Sequence, residues 1–287
     1  MKYGIREICD VVLKAKANNT KVGNKTFNAG EPVLYFDSLK TSTMEGAATT
    51  VYAQGGKGNA RLVAWEGERT VTFTMEDALI SEMGLSVLTG ANLIEAATAT
   101  PMKIHSTARY GKSDTFTCEE AVVSGQTEYP IYAIELDSND NVLKTTSEGI
   151  SFASNAFTYT ATEAKTAAVM FDFYVNKTSG ARQIEITADK FAGNYYLEAS
   201  TLFRSADGVD HPAEFVIPNC KIQSNFTFTM ASSGDPSTFT FTMDAFPDYT
   251  KFDATKKVFS VIQIIDEDAP FVDKAVEENI TPDDADG

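Results

Sequence analysis

Histidine is nearly absent from this chain: His105 and His211 are the only two in 287 residues. They lie far apart, each among strand or turn signals, so an imidazole-centred active site is a poor reading. Cysteine is scarce as well. Cys9, Cys118 and Cys220 are odd in number and widely spaced. That excludes a disulfide framework and any CxxC metal site, and leaves small apolar side chains expected in a reducing compartment. The motifs GxSxG, HExxH and GxGxxG are missing. No apolar run reaches membrane-spanning length, and residues 1–30 hold no apolar leader core. The expectation is a chain made in a cytoplasm, with no membrane and no cofactor. The Asn-X-Thr matches at Asn24, Asn176 and Asn225 then carry no weight.

Basic residues are also few, 24 against 40 acidic ones, for a net charge of -16. Residues 266–287 hold nine acids and one base, Lys274, and so supply half of that charge. They read as a solvated acidic tail. The body keeps about -8 of its own. Stable nucleic-acid binding needs cations to neutralise phosphates, so it is disfavoured. A surface that repels DNA and lets it slide past is not.

What the chain does contain is aromatic, hydroxyl-rich β pattern. Hydrophobic residues make up 43%, with 19 Phe and 11 Tyr, enough for a real core with strand-favouring side chains. Phe226, Phe228 and Met230 alternate with Asn225, Thr227 and Thr229. Phe239, Phe241 and Met243 alternate with Thr240, Thr242 and Asp244. Period-two alternation gives each run one dry and one wet face. With Gly234-Asp-Pro236 between them, residues 223–246 read as a long hairpin. The four Phe residues read as sheet core. The wet face is neutral rather than charged, unlike the protected surfaces of most monomeric sheets.

Elsewhere the signals are mixed. Ile5, Ile8, Cys9, Val12 and Leu13 fit a helical spacing, although a strand or a terminal arm fits too. Residues 31–36 read as a short strand. Residues 37–58, rich in Ser, Thr, Ala and Gly, read as a long loop, and loops of that length are usually functional. Residues 61–65 and 70–75 read as a hairpin around Glu66-Gly-Glu68. Thr74-Met-Glu-Asp77 reads as a helix start, with the helix over 75–83 and Gly84 after its end. Residues 101–176 change texture to short strands at regular spacing, a small sandwich pattern inserted into a larger β domain.

Two motifs touch on ligand chemistry. Asp137, Asn139, Asn141 and Glu148 match positions of a Ca²⁺ loop, but Val142 stands where the sharp turn needs Gly. A hairpin turn is the better reading. Gly55-Gly-Lys-Gly58 lacks the ending of a phosphate-binding loop and reads as a loop tip. Tyr129, Tyr132, Tyr159 and Tyr174 are candidates to line a carbohydrate or receptor site on the inserted region.

Several stretches resemble the tail tube (major tail) proteins of tailed bacteriophages. These are Gly56-Lys-Gly-Asn-Ala-Arg-Leu-Val-Ala-Trp65, Thr70-Val-Thr-Phe-Thr-Met-Glu-Asp-Ala-Leu-Ile80 and Leu88-Thr-Gly-Ala91, then Gln183-Ile-Glu-Ile-Thr-Ala-Asp-Lys-Phe191, Gly193-Asn-Tyr-Tyr-Leu-Glu198, Phe215-Val-Ile-Pro218 and Ser224-Asn-Phe-Thr-Phe228. The resemblance covers residues 1–100 and 179–265. Residues 101–178 are similar in pattern to the immunoglobulin-like modules inserted in phage virion proteins. The resemblance implies a β-sandwich or barrel with one short packing helix, self-assembling into hexameric rings stacked as a tube. It implies a virion location, contacts with sheath, terminator and baseplate proteins, a channel that passes DNA without binding it, and no catalytic residues. On it, Asp37, Thr43, Met44, Tyr52 and Lys57 are candidates for an inter-ring contact. Thr70, Thr72, Thr74, Asn225, Thr227, Thr229, Thr240 and Thr242 are candidates for the tube-forming sheet. Capsid decoration, tail-terminator and carbohydrate-binding roles are the alternatives.

Overall fold

The computed structural model describes residues 2–5, 7–111, 115–153, 155–230, 232–233 and 237–265. The acidic segment 266–287 and the Gly234-Asp-Pro236 turn lie outside the described residues. Strands dominate, and one helix occurs among the described residues. The chain divides into two compact units, one from Met1–Leu93 with Ile184–Gly287, the other from Ile94–Gln183.

The first unit begins with β1 (Tyr3–Ile5), β2 (Asp10–Ala15), β3 (Thr20–Val22), β4 (Lys25–Phe27) and β5 (Pro32–Phe36). It continues with β6 (Leu39–Gly55), β7 (Ala60–Asp77) and α1 (Glu82–Thr89), and β8 (Asn92–Glu95) spans the division between the units. The helical spacing near the N-terminus is overruled. Val11, Leu13 and Ala15 alternate into the core along β2, because burying a strand face needs period two. The N-terminal segment is no free arm either, since β1 pairs with a later strand of the same chain through Tyr3 and Ser205.

The second unit holds β9 (Met102–Gly111), β10 (Phe116–Thr117), β11 (Tyr132–Leu136), β12 (Val142–Thr146), β13 (Ser151–Ala153), β14 (Ala156–Thr158) and β15 (Ala168–Lys177). The chain then returns through β16 (Arg182–Glu185), β17 (Asn194–Ser205), β18 (Asp210–Ile222), β19 (Phe239–Ala245) and β20 (Val261–Ile264).

A nine-stranded antiparallel sheet organises the first unit. Its path runs β5-β2-β17-β18-β19-β7-β6, with β1 beside β17 and β20 beside β18. It is an open sheet with edges at β5 and β6, not a closed barrel. Leu13, Leu197, Ile217, Phe241, Met243 and Met75 are fully buried on one face. Each such side chain contributes about 1.5–3 kcal/mol.

The helix packs on that face through Val87 and Leu88. At eight residues it is too short to persist alone, so this burial holds it. Ser81 caps its start by accepting the Gly84 N–H at 2.9 Å. Gly90 ends it in the left-handed region at φ 72. A β-carbon on Gly90 would also meet the Phe191 carbonyl oxygen at 2.4 Å.

The expected helix over 75–83 is therefore displaced. Met75 stays in β7, fully buried between its cross-strand partners Ser42 and Phe241. Tertiary burial overrides the local capping signal.

The second unit is a pair of sheets, β12-β11-β15-β9 and β10-β14-β13. Phe116 and Phe157 of the smaller sheet meet Phe171 and Phe173 of the larger one at centroid distances of 4.9–6.5 Å. Residues 137–141 form the β11–β12 turn, where the Asp137 carboxylate accepts the backbone N–H of both Asn139 and Asn141. The Asn141 side-chain amide, which also donates to it, and those two backbone bonds hold its carboxyl below the ordinary range.

Candidate assembly surface

The candidate surface is built on β6 and β7. Residues 37–58 are not a loop. β6 is a 17-residue strand that pairs with the 18-residue β7 along nearly its whole length. The expected turn at Glu66-Gly-Glu68 is not there. β7 passes straight through it, with Gly67 and Glu68 bulged opposite Thr49. Extra backbone in one strand bends a hairpin without ending it. The actual turn lies at residues 56–59, where Gly56, Gly58 and Asn59 take positive φ.

The inner half of this hairpin belongs to the main sheet. Met44 opposite Phe73 and Ser42 opposite Met75 face the core. The outer half projects beyond it, and every residue from Gly56 to Thr70 is exposed. Residues directly opposite in an antiparallel pair share a face. Val51 faces Trp65 and Ala53 faces Val63, so one side of the arm is apolar. Trp65, the single tryptophan of the chain, is 55% exposed. On the other side the Arg61 guanidinium lies 4.1 Å over the Tyr52 ring.

The outer edge of β6 pairs with no strand among the described residues. From Gly46 to Gly55 it carries neither charge nor proline. Isolated subunits ordinarily protect an edge of that length with both.

The wet face of the inner sheet is the second feature. Thr74 stands opposite Thr43 on β6 and Thr242 on β19; Thr72 stands opposite Glu45 and Asp244; Glu76 stands opposite Thr41 and Thr240. Hydroxyls and three carboxylates thus share one face, with the base Lys221 across from Asp244 at its border. Gln223 donates to both Asp244 carboxylate oxygens at 3.1 Å.

The sequence-derived residues separate accordingly. Thr72, Thr74, Thr240, Thr242 and Thr43 come together. Thr70 lies on the exposed arm opposite Ala47, Asp37 precedes β6, and Lys57 sits at the tip turn. Met44 faces the core.

Asn225, Thr227 and Thr229 are not on a strand at all, which corrects the expected hairpin. Pairing of β18 with β19 ends at Ile222, and one further bond joins the Gln223 N–H to the Thr242 carbonyl. Phe226 and Phe228 are 39% and 42% exposed, not core. Phe228 packs against Phe226 and Phe239, at 5.5 Å in each case.

Sequence reading missed Glu45, Glu76 and Thr41, although their parity with Thr43 and Thr74 was available. It also missed the apolar arm face, because a loop has no faces.

The remaining chemistry-bearing groups lie apart from this surface. His211 is buried against Tyr3, and His105 pairs with Asp172 at 2.9 Å. Burial pushes the Cys9, Cys118 and Cys220 thiols up, Cys220 to about 12. Glu135 is fully buried and accepts from Tyr159, Thr162, Glu163 and Thr166. Burial alone would raise its carboxyl. The hydrogen bonds outweigh that and bring it to about 2. Tyr159 is therefore an internal donor rather than part of a surface site. No described helix is long and apolar enough to cross a membrane.

No curated protein matches the chain. Its sequence matches the YomU/Tube protein family over residues 4–261. That match spans most of the chain, and the mainly β, antiparallel structure with one short packing helix among the described residues is consistent with the β-sandwich expected of a tail tube subunit. The chain belongs to the YomU/Tube protein family, a phage tail tube family of structural proteins.

Proposed function

We propose that this protein is a tail tube subunit that assembles into hexameric rings, stacked as a hollow tube through which double-stranded DNA is ejected. The observation that carries this reading is the long open edge of β6, uncharged from Gly46 to Gly55. Its backbone groups are placed to continue the sheet into a neighbouring copy, as in strand addition between chains. Residues 1–100 and 179–265 then form the tube domain, and residues 101–178 an inserted immunoglobulin-like module. The β6–β7 arm, with Tyr52 and Lys57, reaches the next ring.

The Thr-rich face with Glu45, Glu76 and Asp244 lines the channel. Hydroxyls and three carboxylates, with Lys221 as the one base at the border, give DNA phosphates little to hold. The completed tube joins sheath, terminator and baseplate proteins in the virion, after synthesis in the host cytoplasm.

The test is negative-stain electron microscopy of the purified chain over a concentration series. It is repeated with residues 48–69 replaced by an Asn-Gly turn, which closes the hairpin at Ala47 and Thr70. The full chain should give hollow tubes, and the shortened chain rings or short stacks. Normal long tubes from the shortened chain would overturn the role of the arm. A small closed oligomer at every concentration would favour a decoration or terminator protein.

A further inference from the structure

The second unit carries an exposed sheet face of its own, apart from β6 and β7. The outer face of β9, β15 and β11 is set by register: Tyr174 stands opposite His105, and Asp172 stands opposite Thr107 and Tyr132. Phe171, Phe173 and Val175 point the other way, into the core. The Tyr174 ring meets His105 at 5.5 Å and Tyr129 at 5.0 Å, edge to face in both cases. The Lys103 ammonium sits 4.7 Å over the Tyr129 ring. His105 and Asp172 hold each other at 2.9 Å. Behind Tyr129 opens a cleft of about 340 Å³, walled by Phe152 and Ile150 and edged by Gln126, Thr127 and Ser147.

We propose that this face and its adjoining cleft bind a neutral oligosaccharide. A sugar ring presents an apolar C–H face ringed by hydroxyls. Tyrosine rings supply the matching apolar surface at low cost in side-chain entropy. Gln126, Thr127 and Ser147 supply donors and acceptors at the cleft rim. The His105–Asp172 pair is already oriented, so little ordering is left for the ligand to induce.

The charge of the face fits the same ligand. Lys103 and Arg109 are balanced by Asp172 and by Asp140, which bridges Arg109 at 2.5 Å. Counting histidine as neutral, the face has no net charge on a chain of -16. A polyanion such as nucleic acid needs several cations, and here Asp140 takes up Arg109 while Lys103 lies over the Tyr129 ring. The proposal is independent of the tube reading, because it rests on the second unit alone.

The full chain is titrated with maltotetraose, cellotetraose and chitotetraose, followed by calorimetry and by amide NMR shifts. At least one should bind with Kd near 0.1–1 mM and shift Tyr129, Tyr132, Tyr174 and His105. Tyr129→Ala and exposed His105→Ala should each weaken binding about tenfold, a loss of about 1.4 kcal/mol. Tyr129→Phe, which keeps the ring, should bind as the parent does. Silence from all three probes at about 10 mM would overturn the proposal. So would full affinity in both alanine variants, shifts confined to the first unit, or preferential binding of a DNA duplex.

Discussion

Gly67 approaches Thr49 so closely that a β-carbon on it would stand 2.5 Å from the Thr49 hydroxyl. That hydroxyl accepts the Glu68 N–H at 2.9 Å. The contact fixes the bulge that aims the β6–β7 arm. Gly67→Val must turn the Thr49 side chain and lose the bond. The site is exposed, so the expected cost in urea unfolding is under about 1 kcal/mol. Tube length in electron micrographs should fall sharply all the same. Full-length tubes from a folded Gly67→Val protein would show that the bulge does not set the arm.

Trp65 is the natural reporter of arm docking. In the dispersed subunit its emission should be that of a solvated indole, and it should shift to the blue as tubes form. Trp65→Ala removes an exposed side chain, so stability should change by no more than about 0.5 kcal/mol. The concentration needed for assembly should rise. Unchanged emission across the transition would place the arm in solvent in the assembled state.

Reversing charge on the Thr-rich face tests which side meets DNA. Glu45→Lys with Glu76→Lys should leave the fold intact, since both side chains face water or partial burial. Tubes of this variant should retain duplex DNA at about 50 mM salt and release it steeply as salt rises. The parent should not retain it. Failure of the variant to hold DNA would move the channel to another face.

Glu135 gives the second unit an acid-labile anchor. Its folded carboxyl lies at about 2 against an ordinary 4.5, so the unfolded chain takes up the proton first. The contribution to stability is complete above the ordinary range. It fades as pH falls through the window between those values. Glu135→Gln should cost about 2–4 kcal/mol near neutral pH, because buried donors lose a charged acceptor. It should also flatten the acid dependence in that window. NMR signals of Val169 and Val175, both in this core, would report it. A steep acid loss that persists in the variant would assign the effect to other carboxylates.

Much of the fold is legible where alternation coincides with burial. β19 is the clearest case: Phe241 and Met243 are fully buried, while Thr240 and Thr242 lie on the wet face. The same pattern misleads at Phe226 and Phe228. Alternation describes only which way side chains point, and a strand also needs a neighbour to complete its ladder. Beyond Gln223 that neighbour is missing among the described residues. Residues 39–55 err in the opposite direction. Their Ser, Thr, Ala and Gly content looks like a loop, yet β7 supplies a partner for nearly every position.

The sequence by itself determined the β class, the change of texture near residue 100, the scarcity of catalytic side chains and the resemblance to tube proteins. All of these follow from residue type and local period. Tertiary structure alone decided that the presumed loop is an edge strand and that the helix starts at Glu82 rather than seven residues earlier. It also decided that Thr43, Thr74 and Thr242 share one face. Each of those depends on pairing between residues distant in the chain. Cross-strand burial is worth more than the local capping and turn preferences it overrides.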